Sequence, residues 1–194
     1  MRNFITLVML ALLFLSHAPL LFSEVENLTI KWIGSECHDM CMGQLRREFL
    51  RIPGIEELTM KEGEADIKWR KHIPFSLTAV KMAMRLIGLS IQDIRVTVRG
   101  IVKQDASSPM ITLISLGDHS SFLLINPDIS KTSEQATDQA AILSQEMSQK
   151  LLEARAKHQI ATIEGSLFMI ERSPPAPVML VVESLNFAER KQAH

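Results

Sequence analysis

The feature that most constrains this chain is an ordered change of hydrophobic period between residues 27 and 98. From Asn27 to Ile33 the residues Leu28, Ile30 and Trp32 alternate with Asn27, Thr29 and Lys31, the period of two that buries one face of a strand. After a loop from Gly34 to Met40, Cys41, Leu45, Phe49 and Ile52 recur at three- and four-residue steps, which is one side of a helix that Pro53-Gly54 ends. Leu58 and Met60, the turn Glu62-Gly63 and the alternation of Ala65, Ile67 and Trp69 predict a β-hairpin. Ser76 is placed to cap a second helix with Val80, Ala83, Met84 and Ile87 as its apolar stripe and Gly88 as a left-handed stop. Ile94, Val96 and Val98 then predict a last strand.

The order βαββαβ is that of a ferredoxin-like unit, expected here over residues 25–98. In its usual arrangement the first and third strands are central neighbours, which predicts that Trp32 and Trp69 meet in the core under the helices. Residues 94–188 read differently. The strand pattern continues from Ile94 to Val102, so the two units share an extended segment with no flexible linker. Met110 to Leu116 and Ser121 to Ile125 predict a second hairpin around Gly117-Asp118. Ala136, Ala140, Leu143, Met147, Leu151 and Ala154 predict one long helix from about Ser130 to Lys157. Ile160 to Ile170 and Val178 to Phe187 complete the chain as two strands. Three strands, a helix and two strands is the order of an OB-fold, so an OB-like five-stranded β-barrel is expected, and the whole is α+β. The loops through which such barrels bind would lie near residues 104–109 and 171–177, which lack stacking aromatics.

The N-terminus bears on where the protein works. Arg2 precedes an apolar run from Phe4 to Leu15 and then Ser16-His17-Ala18-Pro19, the layout of a secretory signal peptide. Residues 1–23 are expected to be removed after Ser23, leaving no membrane span in an exported, periplasmic or secreted protein. An uncleaved anchor is the competing reading, because Leu21 is large for its place before the cut; His17 and Pro19 interrupt the run and make it a poor spanning helix. Of 21 basic and 22 acidic residues, only Arg2 would leave with the leader. With this acidic balance, no Tyr and no basic cluster beyond Lys68-Trp69-Arg70-Lys71, no nucleic-acid partner is expected.

The loop before the first helix carries a more specific signal. Gly34-Ser35-Glu36-Cys37, then Cys41, a helix ending Ile52-Pro53-Gly54-Ile55, the later hairpin and Gly88 together resemble a heavy-metal-associated domain over about 70 residues. Such domains carry a Gly-Met-x-Cys-x-x-Cys loop and a helix ending Leu-Pro-Gly-Val. This chain departs from that pattern: three residues, not two, separate its cysteines, and Ser35 replaces the loop methionine. Counted forward from Gly34, the first cysteine position is held by Cys37; counted backward from the helix, it is held by His38. The resemblance implies metal binding or transfer, with a metal-donor or metal-acceptor protein as partner.

Cys37, His38, Met40 and Cys41 form the candidate metal-ligand set. Thiolate, imidazole and thioether donors select soft or borderline ions, so one Cu(I) or Zn(II) is the expected cofactor. At a helix entrance the exposed amides also favour a thiolate. Two other states stay open on the residues alone: a disulfide, structural or redox-active, in an oxidising compartment, and inert buried thiols. No serine elbow, phosphate-cradling glycine loop or zinc-helix motif is present. Glu164 and Glu183 could be read as an acid/base pair, but strand carboxylates facing solvent account for them more simply. No enzyme activity is expected. The sequence therefore points to an exported copper- or zinc-binding protein, or alternatively to a non-catalytic envelope interaction module with a Cys37–Cys41 disulfide.

Overall fold

Backbone N–H and C=O groups on both edges of a buried strand need partners, and the long strand from Ile91 to Gln104 finds them on each side. The computed structural model describes residues 24–33, 37, 39–105, 108–127, 143–169 and 178–189; the expected signal peptide, at residues 1–23, lies outside them. The first elements are β1 (Glu24–Trp32), α1 (Asp39–Leu50), β2 (Ile55–Lys61), β3 (Glu64–Trp69), α2 (Leu77–Leu86) and β4 (Ile91–Gln104). Their strands lie in the order β2-β3-β1-β4, antiparallel throughout. Leu28, Ile30 and Trp32 of β1, Ala65 and Ile67 of β3, and Ile94 and Val96 of β4 bury one face. Leu45 and Phe49 of α1 and Val80 and Met84 of α2 close over it in the same core.

The remaining elements are β5 (Ile111–Ser115), β6 (Ser121–Ile125), α3 (Gln145–Ala156), β7 (Ile160–Met169), β8 (Val178–Val181) and β9 (Ser184–Ala188). Arg95 to Arg99 pair with β1 on one edge of β4 and with β7 on the other. At Gly100 β1 gives way to β5, whose Ser115 lies opposite Gly100. A Cβ at Gly100 would stand 2.4 Å from the Ile114 carbonyl oxygen, so this handover requires glycine. From β4 the chain closes a five-stranded barrel, β4-β5-β6-β8-β7-β4, in which only β6 and β8 are parallel. The architecture is α+β, and the closed barrel, with α3 between β6 and β7 in sequence, agrees with an OB-like barrel. One hydrophobic core runs from β1 through Phe122 and Leu180 of the barrel.

Several expectations change in space. Trp32 and Trp69 do not meet. Asn27 lies opposite Lys68 and Lys31 opposite Glu64, so the two indoles sit at opposite ends of the β1–β3 pair, about 20 Å apart along the strand. Both are nonetheless buried. The last strand is interrupted: β8 pairs with β7 at Leu167 to Met169 and β9 at Ile160 to Glu164, and Leu167 opposite Leu180 against Glu164 opposite Ser184 leaves one extra residue on the later strand. This bulge places the Val181 carbonyl oxygen 1.8 Å from where a Cβ of Gly165 would be, so only glycine fits under it. Of the long helix, the described part is α3, capped by Ser144 through Met147 N–H at 3.2 Å; residues 128–142 lie outside the described residues.

Helix endings follow one rule with two residues. After α2, Gly88 at φ 80° lets its N–H reach Arg85 O and Leu89 N–H reach Met84 O. After α3, His158 at φ 53° does the same with Arg155 O and Gln159 N–H with Ala154 O. Both endings are the reverse-turn cap in which two backbone donors satisfy the last carbonyls.

Candidate functional site

The loop between β1 and α1 starts where the Trp32 pairing ends and returns to the core at Cys37. Cys37 is 3% exposed, and Cys41, in the first turn of α1, packs against the same core. Their sulfurs are joined in a disulfide with Cα atoms 5.2 Å apart, which lies inside the range that a bridge spans without moving backbone. Met40, between them, is 82% exposed. His38, with residues 34–36, lies outside the described residues. The structure thus brings Cys37 and Cys41 together and turns Met40 outward.

This arrangement decides what donors the loop offers. A metal of the soft class takes thiolate, and a disulfide has none. Among the described residues no group of three or more His, Cys, Asp or Glu side chains converges as a metal-holding cluster. In this oxidised form Cys37 and Cys41 offer no thiolate to a metal. The bridge ties the end of the loop to the first turn of α1, whose Asp39 also places a carboxylate by the helix N-terminus. Near the same end of the sheet, Trp32 Nε1 is buried with no hydrogen-bond partner among the described residues.

A second polar site was missed by the sequence reading. On the sheet face away from the helices, a groove of about 150 Å³ is lined by Thr29, Lys31, Glu64, Asp66, Arg95 and Glu164, among others. It forms because β1 and β7 flank β4 at the same residues. Thr29 Oγ1 donates to Asp66 Oδ1 at 2.8 Å, and Lys31 Nζ lies 3.6 Å from Glu64. A hydrogen bond from Lys61 is the main reason that the Glu64 carboxyl sits below its ordinary value. Arg95 pairs with Glu183 and lies 3.7 Å from Glu164, while Ser166 Oγ donates to Glu183 at 3.2 Å. One guanidinium thus serves both carboxylates that the sequence offered as an acid/base pair. The signal available in sequence was only the outward alternation of charged residues on β1, β3 and β4; their convergence needs the pairing register.

The two halves also meet through a built contact. The Phe75 ring lies edge-on to Trp69 at 5.1 Å and tilted against Phe122 at 6.0 Å, and Trp69 Nε1 donates to Ile73 O at 2.9 Å. Phe75 N–H donates to Asp118 Oδ2 at 2.9 Å, and Ser120 N–H to Oδ1 at 3.3 Å; the Ser120 hydroxyl donates to Oδ2 as well. Burial pushes the Asp118 carboxyl upward, but the nearby Ser115 and Ser120 hydroxyls and the Phe75 and Ser120 amides outweigh it, so its pKa is lowered. Ser115 Oγ is buried with no atom in hydrogen-bond geometry among the described residues, so it acts on the carboxylate as a nearby dipole and not through a formed bond. The two loops of the barrel through which ligands were expected to bind, near 104–109 and 171–177, fall partly and wholly outside the described residues.

Comparison of the chain with family models, with curated proteins and with solved structures finds no match in any of the three.

Proposed function

We propose that this chain is an exported, non-catalytic interaction module of the cell envelope, periplasmic or secreted, in which a ferredoxin-like unit and an OB-like barrel are joined through β4. The strand order β2-β3-β1-β4 with α1 and α2 on one face supports the ferredoxin-like reading of the first half. The likeness to a heavy-metal-associated domain is then one of shape, with the entrance loop held by a covalent bridge where a metal carrier keeps two thiols. The observation that carries the proposal is the Cys37–Cys41 disulfide itself. Such a bridge persists in an oxidising compartment, in keeping with export behind the apolar leader.

The test is a thiol count and a copper and zinc assay on protein purified from its native compartment. No free thiol and no metal supports an interaction module. Two protected thiols with about one metal per chain would instead establish a metal-binding or metal-transfer protein that uses Cys37, His38 and Cys41, with Met40 as auxiliary. In that event Cys41→Ser would abolish copper or zinc binding in the reduced protein, and unchanged stoichiometry would remove the loop from consideration.

A further inference from the structure

The layer of α1 and α2 is unusual for its surface. Among the described residues most large apolar side chains are buried, yet Met40 and Leu50 of α1 are 82% and 58% exposed, and Met82 and Leu86 of α2 are 50% and 66% exposed. The outward stripe of α1 runs through Met40, Gln44, Arg47 and Leu50, and that of α2 through Thr78, Met82, Arg85 and Leu86, each at the three- and four-residue steps of one helix face. Because β1 is antiparallel to β3 and to β4, the connections run the two helices in opposite directions. Met40 at the start of α1 and Leu86 at the end of α2 therefore share one end of the layer.

The charge of this layer is equally one-sided. Arg46, Arg47 and Arg85 are exposed and make no ion pair among the described residues. The acidic residues of these two helices are Asp39 and Glu48, and Glu48 is engaged by Arg51 at 2.6 Å. The opposite face of the sheet contrasts with this, since its charges neutralise one another. A net charge of −1 for the whole chain makes the basic helical face a local feature.

We propose that the outer face of α1 and α2 docks on an anionic phospholipid surface, Met40, Leu50, Met82 and Leu86 entering the acyl boundary and Arg46, Arg47 and Arg85 meeting the headgroups. Exposed apolar side chains set among arginines are the composition that lies flat in a membrane interface. A second copy of the chain is disfavoured, because the same arginines would face each other. The inference names the partner of the envelope module proposed above and rests on that reading for its location, not for its chemistry.

The experiment is co-sedimentation of the protein, purified from its native compartment without reductant, with vesicles of phosphatidylcholine alone or of phosphatidylcholine with phosphatidylglycerol. Binding should require phosphatidylglycerol and weaken with salt. Each of Arg46→Gln, Arg47→Gln and Arg85→Gln should weaken it about fivefold, and the triple variant about 100-fold. Met82→Ser with Leu86→Ser should weaken it about tenfold, while Phe168→Ser, an exposed apolar side chain on the barrel, should leave it unchanged. All variants share the same leader processing, so differences between them report on the helices. Equal binding to both vesicles, no binding, or indifference to the arginine variants overturns the proposal. Binding to polyglutamate in place of vesicles would assign the face to an acidic protein and overturn it too. Thiols counted on the same sample separate the two ideas: free thiols with intact vesicle binding would sink the disulfide reading and leave the lipid surface standing.

Discussion

Breaking the Cys37–Cys41 bridge should loosen one turn of the molecule and leave the fold. The bridge closes a ring over a sequence separation of 4, and the chain-entropy relation for so short a loop gives about 2 kcal/mol of stabilisation. The helix it pins has stronger anchors: Leu45 and Phe49 are fully buried, each contributing about 1.5–3 kcal/mol, so together they exceed the bridge. Reduction alone should therefore lower Tm by about 4–8 °C for a chain of this size. Hydrogen-exchange protection should fall in the first turn of α1 and hold from Leu45 onward. Replacing both cysteines by alanine should cost roughly 1 kcal/mol more, because sulfur is then missing from the buried Cys37 position. Denaturant titration and native-state exchange in the presence and absence of reductant measure all of this. An unchanged midpoint on reduction, or loss of protection across all of α1, would refute the assignment of a local clamp.

Other perturbations test the rest of the architecture. Gly165→Ala drives a Cβ to 1.8 Å from the Val181 carbonyl oxygen, and since backbone must move, a loss of about 3 kcal/mol or failure to fold is expected in thermal unfolding. His158→Gly keeps the ending of α3 and removes the cost of a left-handed histidine at φ 53°, so it should raise stability by about 1 kcal/mol. Asp118→Asn should cost about 1.5–3 kcal/mol at neutral pH by removing charged hydrogen bonds to Phe75 and Ser120. Because the folded pKa of Asp118 is lowered, its contribution is present above the unfolded value of about 3.9 and is lost as pH falls through the folded one; the Asn variant should show a flatter acid limb in pH-dependent denaturation. Arg95→Gln should cost no more than about 1 kcal/mol despite its two carboxylate partners, because the cluster is partly solvent-exposed.

What the sequence determined by itself is whatever depends on a few neighbouring residues. Alternation at Leu28-Ile30-Trp32 and Ala65-Ile67-Trp69 places the strands, the spacing of Leu45 and Phe49 places α1, and Ser76 and Gly88 bound α2, because side-chain period and backbone preference act within one turn or one pleat. Tertiary structure decided what depends on which distant segments meet. The register that parts Trp32 from Trp69, the use of both edges of β4 and the bulge over Gly165 all arise from long-range pairing, as do the Asp118–Phe75 joint and the meeting of Arg95 with Glu164 and Glu183. His158 shows the limit from the other side: it adopts a glycine's conformation where composition carries no glycine signal, since two backbone hydrogen bonds outweigh its strain. The same divide runs through the cysteine loop. Local chemistry could name thiolate, imidazole and thioether donors, but whether two sulfurs face a cation or each other is set by where the core holds Cys37 and where α1 begins.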